Sequence, residues 1–252
     1  MITSLQNPRV KLIYALQNRA KARRKERKIV LEGPRLIRDA CELGHAPKFV
    51  FHTSDADEAF VEWLTAQGVD IAPVDEAVMR HISDTQQPQG VIGVFPLPVP
   101  EIPPSPTHVL ILDGLRDPGN MGTILRTAAA AGVDVVLLSS DCVDPYNPKV
   151  LRGGMGAHFR LPVIQASWSR IGEICAGLRV YLADGDGAVR YDTADWSSGW
   201  ALIIGSEAHG ASDDAAQLAD AHVAIPLASA VESLNAAVAA AVLLFEARRQ
   251  NQ

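Results

Sequence analysis

The chain has 252 residues, 48% hydrophobic and 21% charged, with 19 glycines and 16 prolines, a composition that suits one large globular domain or two small ones. No stretch approaches the ~20 uninterrupted apolar residues of a membrane-spanning helix, and residues 1–8 lack the basic start and apolar core of a secretory signal. Cys41, Cys142 and Cys175 stand apart with no C-x-x-C pair, so an integral membrane protein, a disulfide scaffold and a structural zinc site are excluded and a reducing, cytoplasmic setting is expected.

The net charge of −6 is unevenly spread: residues 1–38 hold eleven Lys or Arg against Glu26 and Glu32, +9 in all, which leaves −15 for the remainder. Arg19, Arg23, Arg24, Lys25, Arg27, Lys28, Arg35 and Arg38 dominate that basic arm. A basic arm on an acidic body is an electrostatic footprint for nucleic acid, because each phosphate contact releases condensed counterions. A solvated, solubilising helix face carries the same charge, and charge alone leaves both readings open.

In chain order, residues 18–28 are polar and helix-prone, and 29–31 read as a short strand. Gly33-Pro34 opens a helix to about residue 43. A strand is expected at 49–51, a helix at 58–67 and a strand at 91–95, an alternation that suggests a small α/β sandwich. Residues 95–108 then hold six prolines in fourteen positions, which removes backbone donors and fixes φ, as in a semi-rigid extended linker. The division expected is a domain at 1–95, a linker at 96–107 and a second domain at 108–252.

The second segment carries short, nearly continuous apolar runs at 109–112, 133–138, 180–183, 201–204 and 223–225, which belong to parallel strands buried on both faces. A helical pattern at 121–131 ends at Gly132, a C-terminal cap. Residues 235–249 are Ala-rich and apolar nearly all round, as in a helix buried in a core or against another chain. In a doubly wound parallel sheet, ligands bind beyond the carboxyl ends of the strands.

Common motifs are missing from those loops. There is no G-x-x-x-x-G-K-[ST], no third glycine after Gly185-Asp-Gly187 at dinucleotide spacing, no G-x-S-x-G and no H-E-x-x-H, which disfavours a P-loop NTPase, an ordinary NAD enzyme, a serine hydrolase and a zincin. Three strand ends do concentrate polar residues beside glycines: Asn120 and Arg126 after the first run, Glu207 within Gly205-Ser-Glu-Ala-His-Gly210, and Ser233 and Asn235 ahead of the last helix. Singly, Asn120 and Asn235 read as helix caps, Arg126 as a surface residue and Glu207 as a solvated carboxylate. Their coincidence at three strand ends points to a site.

These loops resemble the three motifs of the SpoU (TrmH-type) RNA ribose 2′-O-methyltransferases of the SPOUT superfamily. The first is Asp117-Pro-Gly-Asn-Met-Gly-Thr-Ile-Leu-Arg126, the second Ile204-Gly-Ser-Glu-Ala-His-Gly210, and the third runs from Ile225-Pro-Leu to Ser233-Leu-Asn235. Ser4-Leu-Gln-Asn-Pro8-Arg-Val-Lys11, Leu31-Glu-Gly33 and Gln87-Pro-Gln-Gly-Val-Ile92 are similar to the family's N-terminal, L30e-like substrate-binding domain. Ala208-His209 depart from the glycine or acidic residues frequent there.

The resemblance implies an α/β fold whose C-terminal parallel sheet ends in a deep trefoil knot, against the usual un-knotted rule. It implies S-adenosylmethionine held by backbone groups, with Gly205, Ile225 and Leu234 in contact with it, and no metal. Arg126, Asn120, Glu207, Ser233 and Asn235 would form the catalytic set. A homodimer packed through the knotted domain is implied, with the basic arm delivering RNA to the partner subunit's knot. Ribosomal RNA is favoured over transfer RNA. The rivals are a transfer-RNA enzyme, a base methylase and a non-catalytic RNA-binding module.

Overall fold

The computed structural model describes residues 1–206, 210–228 and 233–252. The chain forms two compact units, Met1–Val99 with Tyr146–Phe159, and Pro100–Pro145 with Arg160–Gln252. The first unit thus takes residues 146–159, which a two-block division leaves with the second.

In the first unit, helices α1 (Pro8–Asn18) and α2 (Ala20–Glu26) precede strand β1 (Lys28–Glu32), and then come α3 (Pro34–Glu42), β2 (Phe49–His52), α4 (Glu58–Ala66), β3 (Ile71–Pro73), α5 (Glu76–Ile82) and β4 (Val91–Pro96). The sheet runs β1-β4-β2-β3, antiparallel except for the parallel β2/β3 pair. The helix expected at 18–28 is the shorter α2, and a further helix not expected from the sequence, α1, precedes it. Asn7 caps α1 through its side chain ahead of Pro8, and the backbone breaks at Arg19, where φ is −136° and ψ is 113°. Polarity masked α1, whose apolar positions Val10, Ile13 and Leu16 are buried in the core.

The second unit starts with β5 (His108–Leu112), α6 (Pro118–Ala131) and β6 (Val135–Leu138). The chain then supplies α7 (Pro148–Gly154) and a 3₁₀ turn at Ala157–Phe159 to the first unit. The second unit continues with β7 (Val163–Gln165), α8 (Trp168–Ile174), β8 (Arg179–Ala183), β9 (Val189–Arg190), β10 (Trp200–Ile204), α9 (Asp213–Leu218), β11 (Ala221–Ala224) and α10 (Ala236–Gln250). Among the described residues its seven strands are all parallel, in the order β7-β6-β5-β10-β8-β11-β9. The expected parallel sheet is therefore present.

Alternation sorts the strand side chains by face. Val109, Ile111, Val135, Leu137, Val180, Leu182, Ala201 and Ile203 cluster with Ile171 of α8 and Ala215 of α9. Leu110, Leu112, Val136, Leu138, Leu202 and Ile204 are equally buried on the opposite face. Helix α6 begins at Pro118, three residues before the expected start, because Asp117 accepts from the Asn120 N–H at 2.7 Å and Pro118 supplies the first-turn φ. It ends as expected at Gly132, with φ 84°. Helix α10 packs on α6, with Ala236, Ala240, Leu243, Leu244 and Ala247 buried, whereas Val238 is 50% and Phe245 49% exposed. It is half-buried within one chain, not enclosed all round.

Leu151 of α7 is 2% exposed and packs among Ile29, Leu31, Phe60 and Phe95. Leu151→Ala should cost about 2–4 kcal/mol through lost burial and a cavity. Urea denaturation followed in the first unit would show it; a loss below ~0.5 kcal/mol would mean that α7 is not part of that core.

Candidate cofactor and catalytic site

The ends of β5, β10, β8 and β11 are tied together by backbone and buried polar groups. Beyond β5, the Asp113 N–H donates to the Ile204 carbonyl at 2.9 Å, and its carboxylate accepts from the Ser212 N–H at 2.7 Å. Asp113 is buried, as is Ser139, whose hydroxyl accepts from the Gly114 N–H at 2.9 Å. A buried carboxylate demands such donors.

After β10, Ser206 and Gly210 exchange backbone hydrogen bonds of 2.9 and 3.0 Å. A Cβ on Gly205 would lie 2.6 Å from the Gly210 carbonyl carbon, so only glycine allows this approach of two backbones.

Around this turn lies a cavity of about 420 Å³. Its lining comes from the ends of β8, β10 and β11, residues 233–235 and the first two turns of α10. Gly205, Ile225 and Leu234, the three expected cofactor positions, all line it, as do Ser233 and Asn235. Asp184 is the one charged residue among the described lining residues. Its carboxylate meets the His222 Nδ1 at 2.8 Å and accepts from the Asp186 N–H at 3.1 Å. The His222 hydrogen bond, then the Asp186 N–H, hold the carboxyl below its usual range.

The remaining expected residues fall in different places. Asn235 caps α10, its Oδ1 accepting from the Ala237 and Val238 N–H groups at 2.9 and 3.3 Å. The same side chain donates through Nδ2 to Asn120 Oδ1 at 3.0 Å, joining the first turn of α6 to the entrance of α10. Asn120 is not a cap, since Asp117 fills that role. Arg126 is exposed on α6 and is not among the described residues lining the cavity. Glu207 lies outside the described residues.

In the basic arm, Arg19, Arg24, Lys25, Arg27 and Arg35 are exposed, and Lys28 is half-buried 3.5 Å from Glu26. Arg23, expected with the rest of the arm to contact RNA, is instead buried. It is 4% exposed, and its guanidinium donates to the Leu16 and Gln17 carbonyls at 2.6 and 3.3 Å. Carbonyls in the last turn of a helix lack intrahelical donors, and Arg23 serves those of α1. Sequence reasoning also passed over Asp113, which stands directly after a buried strand, and the Asp184–His222 pair, whose members are 38 residues apart with no local signal. Cys175 is buried, which pushes its thiol up to about 11.

A parallel α/β sheet whose strand-end loops enclose a cavity of small-ligand size defines a ligand-binding α/β domain of the kind that carries enzymes. Comparison with known proteins gives the family. Residues 107–245 match the SpoU rRNA Methylase family, and residues 7–93 match the MRM3-like substrate binding domain. The chain is similar to "rRNA methyltransferase 3, mitochondrial" of Mus musculus, 36% identical over 90% of this chain and 69% of that protein. It is also similar to the "23S rRNA (guanosine(2553)-2′-O)-methyltransferase RlmP" of Bacillus subtilis, 34% identical over 98% of both. The AdoMet-bound rRNA methyltransferase from Sinorhizobium meliloti superposes with a TM-score of 0.87, 35% identical, over 98% of this chain and 97% of that one. The chain belongs to the SpoU rRNA methylase family.

Because the Asp184 carboxyl is held low in the folded chain, its pair with His222 adds stability that is present above the usual carboxylate range and is lost as pH falls through the lowered value. Replacing His222 by Ala should raise the Asp184 titration midpoint, read from the side-chain carboxyl ¹³C shift. An unmoved midpoint would assign the shift to the Asp186 N–H alone.

Proposed function

We propose that this chain transfers a methyl group from S-adenosylmethionine to a ribose 2′-hydroxyl of ribosomal RNA. The observation that carries the reading is the Asn120–Asn235 bridge, whose Asn235 lines the cavity together with Gly205, Ile225 and Leu234, since it joins two of the three family motifs beside a ligand site. The cavity suits the cofactor by its size, by an apolar wall that includes Ile204, Val223 and Leu243, and by the Gly205 close approach that leaves backbone groups to face a ligand. The rRNA methyltransferase names of the relatives favour ribosomal over transfer RNA as substrate.

Bound there, S-adenosylmethionine would supply a sulfonium methyl to the ribose oxygen, the S–CH₃ bond breaking to leave the neutral thioether S-adenosylhomocysteine and the hydroxyl proton passing to water. The protein's share is position and charge. Asn120 and Asn235 hold each other and the start of α10 in one geometry, which leaves Ser233 set at the cavity wall to hydrogen-bond the ribose. A guanidinium offers a rigid fork of N–H donors and no acceptor for a proton, so Arg126 acts by holding a phosphate or stabilising a developing alkoxide. Its exposure on α6 leaves it reachable by an incoming RNA. Glu207 joins this set by its place in the second motif.

Arg19, Arg24, Lys25, Arg27 and Arg35 track RNA phosphates, with Lys28 at their edge. Arg23 is a structural residue in this reading. The chain acts as a homodimer, the exposed Val238 and Phe245 of α10 supplying an apolar face for a second copy, and its C-terminal sheet ends in the family's trefoil knot. Among the described residues no helix is long and apolar enough to cross a membrane, and three free cysteines suit the cytoplasm.

Arg126→Ala should leave S-adenosylmethionine affinity within about twofold by calorimetry while methyl transfer to unmodified ribosomal RNA falls at least ~100-fold. Transfer at the wild-type rate would remove Arg126 from the catalytic set. Cofactor binding without transfer by the wild-type protein, on any RNA, would favour a non-catalytic binding module.

A further inference from the structure

Two aromatic rings stack outside the core of the first unit. Tyr14 on α1 and His81 on α5 lie with centroids 4.6 Å apart and planes 3° from parallel. Both are exposed, Tyr14 at 40%. The apolar faces of their helices point the other way: Val10, Ile13 and Leu16 on α1, and Val78, Met79 and Ile82 on α5, are buried. The ring pair therefore adds little to the core and presents flat π surface to solvent.

Its surroundings are cationic. Lys11 is exposed three residues before Tyr14, on the same helix face. Helix α2, which follows α1 after one residue, exposes Lys21, Arg24 and Lys25. The nearest acidic group on α5, Glu76, is engaged by Arg80 at 3.0 Å. Asn18 Nδ2 donates to the Tyr14 carbonyl at 2.8 Å and fixes the last turn of α1 beside the ring.

Flat exposed aromatics flanked by cations are the chemistry that binds single-stranded nucleic acid: the bases stack and the charges follow the phosphates. We propose that Tyr14 and His81 form a stacking platform for an unpaired base of the RNA substrate, with Lys11 and α2 gripping the flanking backbone. The proposal rests on the RNA reading above and assigns a recognition point to the substrate-binding unit. A duplex, whose base faces are hidden, fits the platform only at an end.

The test uses the full chain and two labelled RNA strands of equal charge, each about twelve nucleotides long: an adenosine strand and one abasic throughout. Tyr14→Ala should weaken adenosine-strand binding roughly tenfold, leave abasic-strand binding unchanged and leave the salt slope of affinity unaltered. Tyr14→Trp should restore wild-type affinity. Equal losses on both strands, or no loss on either, would overturn the platform, and thermal unfolding of each variant would show whether Tyr14 only ties α1 to α5. Wild-type protein that methylates ribosomal RNA while Tyr14→Ala binds the adenosine strand normally would sink the platform and leave the methylase reading standing. Wild-type protein that binds neither strand and methylates no RNA would sink both.

Discussion

The site depends on a close approach of main chain to main chain. Gly205 leaves β10 so near Gly210 that one added carbon would sit 2.6 Å from a carbonyl carbon. That contact is possible because β10 lies inside the sheet, hydrogen-bonded to β5 on one side and β8 on the other, in a register that ends Leu112 beside Ile204. Strands held so firmly deliver their loops to one place. Asp113, buried one residue past β5, then ties its loop to Ser212. With the loops pinned, small residues make up much of the cavity wall, among them Ala183, Gly185, Gly205, Gly210 and Ala236.

The two asparagines extend that logic to the helices. A residue that caps α10 is already rigid, since Oδ1 is committed to two N–H groups. Its remaining donor reaches Asn120 on α6, a helix whose start is fixed by Asp117 and Pro118. Capping and site-building are therefore one arrangement: the helix-cap requirement supplies the preorganisation that a methyl-transfer site needs.

Much of this was legible in the chain. The strands buried on both faces, β5, β6, β8 and β10, announce themselves as apolar runs because neither face of the sheet meets water there. The edge strands β7 and β9, three and two residues long, are too short and too exposed to carry a period. Helix α7 is short and ends in two glycines, and nothing local says that its Leu151 belongs to the core of the first unit. Arg23 misled for a similar reason. In a run of cations its charge reads as solvated, and only the break at Arg19 creates the carbonyls it serves. Of the residues expected at the site, Gly205, Ile225 and Leu234 come from motif resemblance and Ser233 and Asn235 already from their place ahead of the last helix; all five line the cavity. Asp184 and His222 meet only in the fold, through adjacent strands.

The central claim is that methyl transfer goes to a ribose oxygen. Its most direct test is to label unmodified ribosomal RNA with methyl-labelled S-adenosylmethionine and this protein, and then hydrolyse with alkali. A 2′-O-methyl group removes the internal nucleophile that alkali uses to cut the backbone at that nucleotide. The account predicts label confined to an alkali-resistant dinucleotide. Label recovered only in single nucleotides would place the methyl on a base and contradict it.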